Sequence, residues 1–150
     1  MAGPPREVWG DLATTAFVET SLLFRSLDDA ARRDVVRLAR VLDFEAGEVV
    51  SPEDDEGFWL VRDGLAVVRA RGEGGAAVDV AEAERGAVVG ASRVLGAGGR
   101  WSLVARTGVS AVVVPAPVVA ALADRFPKVR KLLEAVLAAR QRDAARRAPG

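Results

Sequence analysis

A chain of 150 residues with an apolar fraction of 50% fits one domain whose core needs neither disulfide nor metal. Its 21 basic and 21 acidic side chains cancel, so bulk charge gives no argument for nucleic-acid binding. The absence of cysteine and histidine excludes disulfide frameworks, zinc–thiolate sites, histidine-ligated metals and the Ser-His-Asp and Cys-His catalytic arrangements.

Residues 1–8, with Pro4 and Pro5, read as a loose lead-in, and Trp9 to about Glu19 as a short helix. Glu7 and Asp11 interrupt any apolar run there, so no signal peptide is expected. Ser26-Leu27-Asp28-Asp29 reads as a helix start, with Ser26 as N-cap and Asp29 reaching back. Leu27, Ala31, Val35, Leu38 and Leu42 recur at helical spacing, which predicts an amphipathic helix over roughly 27–40.

The period then changes. Short apolar runs occupy 41–44, 48–51, 58–62, 65–71, 77–83, 87–89, 101–106 and 109–114, each bounded by glycine, proline or acidic residues. Asp63-Gly64 between two such runs predicts a hairpin. Eight short strands at this spacing predict a mainly β fold, an antiparallel jelly-roll barrel with flanking helices. Trp59 alternates with apolar neighbours and is expected in the core, and Glu53–Glu56 reads as a solvated acidic turn.

The tail returns to helix. Pro117 suits a first helical position, with helix over 118–126. Pro127 starts a second helix whose stripe of Val129, Leu132, Leu133, Val136 and Leu137 can dock on the barrel or pair with a second copy as a homodimer. Residues 1–20 thus form a lead-in, 21–140 the main domain and 141–150 a basic, frayed tail. The balanced total hides an uneven distribution. Ten acidic and four basic residues lie between Asp28 and Glu56, against eight basic and two acidic from Arg125 onward. No run is apolar enough to span a membrane, and the cysteine-free sequence fits a cytoplasmic protein.

The segment 86–106 carries the candidate site. It reads as a strand end, a glycine, a short helical turn, a glycine-rich loop and an arginine opening another strand. Glycines let backbone amides gather around an anion, and an arginine can clamp it with two hydrogen bonds. The candidate phosphate cradle is Gly90, Ala91, Ser92, Arg100, Trp101 and Ser102, with Arg93 and Arg106 adding positive charge nearby. The residues call for no cofactor, and the cradle suits a phosphorylated ligand.

This segment, with Leu23-Phe24, Phe44-Glu45-Ala46-Gly47-Glu48-Val49-Val50, Phe58-Trp59-Leu60-Val61-Arg62-Asp63-Gly64 and Phe126-Pro127, resembles the cyclic-nucleotide-binding domain. That family includes catabolite-activator-type regulators, cAMP-dependent kinase regulatory subunits and gated channels. The resemblance covers about Ser21 to Leu137. It implies a cassette of Phe-Gly-Glu, a short helix, a loop, and arginine followed by a small residue. In such a cassette the glutamate accepts from the ribose 2′-hydroxyl and the arginine pairs with the cyclic phosphate. Here Val89-Gly90 match and Arg100 falls on the arginine, but Ala91 stands in the glutamate's place, Trp101 in that of the small residue, and Arg106 where alanine is common.

A hydrogen bond to a charged group contributes about 1.5–3 kcal/mol, so losing the glutamate weakens cyclic-nucleotide binding roughly ten- to a hundredfold. Trp101 can stack on a purine or fill the pocket. The resulting expectation is a non-catalytic regulatory or protein-interaction module with conventional cAMP and cGMP binding lost or weakened, acting through another protein. The alternative is a sensor of a phosphorylated ligand that signals through the C-terminal helices. Few residues follow Phe126, so direct sequence-specific DNA reading is not expected.

Overall fold

The structure, a computed structural model, describes residues 6–8, 11–72 and 74–147. In chain order its elements are β1 (Arg6–Glu7), α1 (Leu12–Thr20), α2 (Asp29–Leu38), β2 (Arg40–Phe44), β3 (Val49–Ser51), β4 (Gly57–Asp63), β5 (Ala66–Arg71), β6 (Ala77–Ala83), β7 (Val88–Val89), α3 (Ala91–Leu95), β8 (Arg100–Ala105), β9 (Val109–Pro115), α4 (Ala116–Arg125) and α5 (Pro127–Arg147). The strands form two antiparallel sheets, one ordered β1-β2-β9-β4-β7 and the other β3-β8-β5-β6. This is the expected jelly roll with flanking helices, carrying one strand more than the eight read from sequence.

The five-stranded sheet is covered on both faces. Phe58 and Leu60 of β4 and Val112 and Val114 of β9 pack with Phe17, Phe24, Val35, Val119, Val129 and Leu133 beneath the helices. Trp59 and Val61 alternate to the opposite face, meeting Phe44, Val68, Leu103 and Ala111 between the sheets. Burial on both faces explains why residues 57–61 read as an unbroken apolar run. Trp59 is core, as expected, set edge-on to Phe44 with centroids 5.9 Å apart.

Several local expectations are corrected. The lead-in is tied down: β1 pairs Arg6 with Val41 and Glu7 with Arg40, and Val8 is fully buried. Residues 1–5 and Trp9 lie outside the described residues. Asp28, not Ser26, caps α2, its side chain accepting from the Ala31 amide at 2.8 Å. Asp63-Gly64 makes no hairpin, because β4 pairs with β7 and β9 while β5 belongs to the other sheet. The turn is a corner between sheets, and Gly64 lies so close to the Gly108 carbonyl that an added Cβ would come within 2.0 Å of its oxygen. Helix α4 begins one residue before Pro117, and α5 continues through Arg147, beyond the point where the sequence sets off a basic tail.

The acidic turn is only half solvated. Glu53 pairs with Arg71 at 2.7 Å, and Asp55 accepts from the Trp59 indole at 2.6 Å and from the Ser51 hydroxyl at 3.1 Å, while Asp54 and Glu56 are exposed.

Candidate functional site

The cassette begins where β7 ends. Gly90 takes φ +120°, and a Cβ there would lie 2.8 Å from the Gly57 carbonyl oxygen and 3.1 Å from the Phe58 Cα. Close approach of the turn to β4 therefore requires glycine at this position, with or without a ligand. Helix α3 follows with Gly90 as its N-cap, and Ala91 and Ser92 are both buried.

Strand β8 closes the cassette, and its pleat sorts the predicted residues. Trp101 packs with the intersheet cluster that holds Leu103 and Ala105, so the odd-numbered positions face inward. Arg100 is exposed and stands opposite Arg71. Ser102 stands opposite Arg69, and both line a depression on the outer surface with Arg71 and Val104. The structure thus brings together Gly90, Ala91, Ser92 and Trp101, and puts Arg100 and Ser102 on the other face of the sheet. The predicted arginine clamp is not assembled, because neighbouring residues on a strand point to opposite sides.

Trp101 stands beside Gly90 and Ser92. With Val68, Val88, Val89, Gly90, Ala91 and Ser92 it lines a cavity leaving only about 20 Å³ for the centre of a water-sized molecule, room for about one water. The roof is α5, which contributes Val136, Leu137 and Arg140. The edge of the indole lies against Gly99, and its Nε1 is buried without a hydrogen-bond partner.

Arg140 is the one cation lining this cavity, and the sequence reading missed it. It donates to the Val88 carbonyl at 3.4 Å, and burial pulls its pKa below the usual arginine value, opposed by the attraction of Asp143. A signal was present: Arg140 is four residues from Val136 and three from Leu137, on the same helical stripe.

The other two arginines expected nearby are engaged elsewhere. Arg93, with a side chain 13% exposed, donates to the Ser51 hydroxyl at 2.7 Å and to the carbonyls of Gly57 at 2.9 Å, Pro52 at 3.0 Å and Trp101 at 3.1 Å. Burial lowers its pKa and Asp55, 3.7 Å away, acts the other way. It is an internal bracket joining β3, β4, α3 and β8. Arg106 pairs with Asp79 at 2.8 Å on the outer face, beside Arg69.

Of the apolar stripe on α5, Val129 and Leu133 are fully buried in the chain's own core, and Leu132, Val136 and Leu137 pack partly against it. No helix among the described residues is long and apolar enough to cross a membrane.

No protein-family model matches the sequence, and no curated protein matches it. Solved structures do match. The Thermus thermophilus catabolite activator protein aligns with TM-score 0.62 and 25% identity over 82% of this chain and 59% of that one. The regulatory domain of Toxoplasma gondii PKA with cAMP gives TM-score 0.68 and 18% identity over 83% and 48%. The regulatory subunit of a cAMP-independent protein kinase A from Trypanosoma cruzi bound to guanosine gives 0.62 and 18% over 83% and 49%. The fold is that of cyclic-nucleotide-binding domains. This chain spans about half to three fifths of the length of these structures.

Proposed function

We propose that this chain is a non-catalytic regulatory module, with residues 21–140 as its working unit, that acts by binding another protein and no longer takes cAMP or cGMP in the conventional way. The observation that carries this reading is the parity of β8: Trp101 occupies the cassette and Arg100 points away from it. The cavity left has room for about one water, far below the roughly 300 Å³ of ordinary ligand pockets. Ala91 adds to the argument, since its methyl group cannot accept from a ribose hydroxyl. The absence of cysteine supports a cytoplasmic setting. One matching structure is the regulatory subunit of a cAMP-independent protein kinase A, which supports this reading of the fold.

Isothermal calorimetry with cAMP, cGMP and cyclic dinucleotides tests the reading. No heat at millimolar ligand is expected, and a dissociation constant well below that range overturns it.

A second reading, a sensor of another phosphorylated ligand, draws on the roof of the cavity. Any ligand entering beside Gly90 and Ser92 displaces Val136, Leu137 and Arg140, and so moves α5. Hydrogen exchange along α5 with and without each nucleotide distinguishes the two, because only a sensor changes its protection on addition.

A further inference from the structure

The molecule's basic side chains are mostly spoken for. Among the described residues, those without an ion-pair, hydrogen-bond or ring partner are Arg25, Arg33, Arg100, Lys128, Lys131 and Arg142. Three of them, including both lysines of the sequence, meet in one place. Arg25 on the segment before α2, and Lys128 and Lys131 on the first turns of α5, line a groove of about 350 Å³ with Leu22, Ser26 and Leu132.

The groove combines two unpaid requirements. Leu22 is 59% exposed, a large apolar side chain left in water, and the three surrounding cations are exposed with no carboxylate to answer them. Of the carboxylates near in sequence, Asp124 pairs with Arg130, Asp29 with Arg32, and Asp28 accepts from the α2 amide of Ala31, while the exposed Glu134, three residues from Lys131, makes no ion pair with it. The walls are also fixed relative to each other. Leu23 and Leu27 beside Arg25 are buried in the same cluster as Val129 and Leu133 of α5, so little ordering is left for a binding event.

We infer that this groove docks an acidic amphipathic segment of a partner protein, a leucine-type side chain seating on Leu22 and Leu132 and flanking carboxylates meeting Arg25, Lys128 and Lys131. Charge complementarity fixes the chemistry of the occupant, and the apolar floor fixes its amphipathic pattern. The inference rests on the reading of the chain as an interaction module and gives that module a surface that shares no lining residue with the Trp101 cavity.

Fluorescence anisotropy of the full chain with a short synthetic peptide tests it, the peptide carrying Leu at i and i+4 between Glu residues. The wild-type chain binds, binding weakens with added salt, and Lys128→Glu with Lys131→Glu reduces affinity at least about tenfold, or about 1.4 kcal/mol. Arg25→Glu alone, on the opposite wall, reduces it in the same direction, while Arg33→Glu and Arg142→Glu leave it unchanged. Peptides with Gln for Glu or Ala for Leu bind weakly. Unaltered affinity in the double reversal overturns the proposal. So does absence of peptide binding, whether or not the chain binds vesicles containing phosphatidylserine or self-associates through this face. The cyclic-nucleotide titration reads the Trp101 cavity alone, so failure there and failure here are separate results.

Discussion

Along β8, Trp101, Leu103 and Ala105 turn to the barrel interior while Arg100, Ser102 and Val104 turn outward, and the two faces have separate duties. The inner face fills space and the outer face carries charge to solvent. Between sequence neighbours such as Arg100 and Trp101, the pleat decides which side chain reaches the cassette. A cassette with its arginine present can therefore still lack its clamp.

The sharpest test of this division is Leu103→Ala against Val104→Ala. Leu103 is fully buried, so its truncation costs about 2–5 kcal/mol in urea unfolding, while loss of the half-buried outer Val104 costs about 1 kcal/mol or less. Equal losses would break the comparison. Arg93→Met comes next, since it removes donors from the carbonyls of Gly57, Pro52 and Trp101 and the cation facing Asp55, while the Ser51 hydroxyl keeps its bond to Asp55, with an expected loss of about 2–3 kcal/mol. The adjacent pair Trp101→Ala and Arg100→Ala sharpens the contrast. The first lowers stability by about 1.5–3 kcal/mol and enlarges the cavity, and the second stays within about 0.5 kcal/mol.

The smallest effect is in the acid limb of stability. The hydrogen bond from Arg6 holds Asp43 below the usual carboxylate range. Its contribution is present above the unfolded-state value near 3.8 and is lost as pH falls through the lower folded value. Asp43→Asn therefore lowers melting slightly at neutral pH, the pair being exposed, and converges with the wild type as pH falls below about 4, which flattens the acid limb.

The barrel was legible because glycine, proline and acidic residues punctuate each strand. Strand β1 was not, since two residues carry no period. At the α2 start, Ser26, Asp28 and Asp29 are all competent caps, and composition alone does not choose among them. The corner at Gly64 carries the dipeptide of a hairpin because a tight approach to Gly108 also demands glycine. Gly90, Ala91 and Ser92 stand beside Trp101, whereas Arg100, which the family pattern drew into the same group, does not. The alternation of Trp101, Leu103 and Ala105 with Arg100, Ser102 and Val104 was visible in the sequence, and it outweighs the motif. The bracket formed by Arg93 was not, because its partners are mainly carbonyls on distant segments.

Helix α5 runs without interruption from Pro127 to Arg147. Lys128 and Lys131 sit at one end in the basic groove, and Arg140 roofs the cavity about 14–18 Å further along at about 1.5 Å per residue. One stiff rod thus touches both places where a molecule could bind. Thermodynamic reciprocity then applies: by whatever factor an occupant of the groove alters affinity at the cavity, an occupant of the cavity alters affinity at the groove.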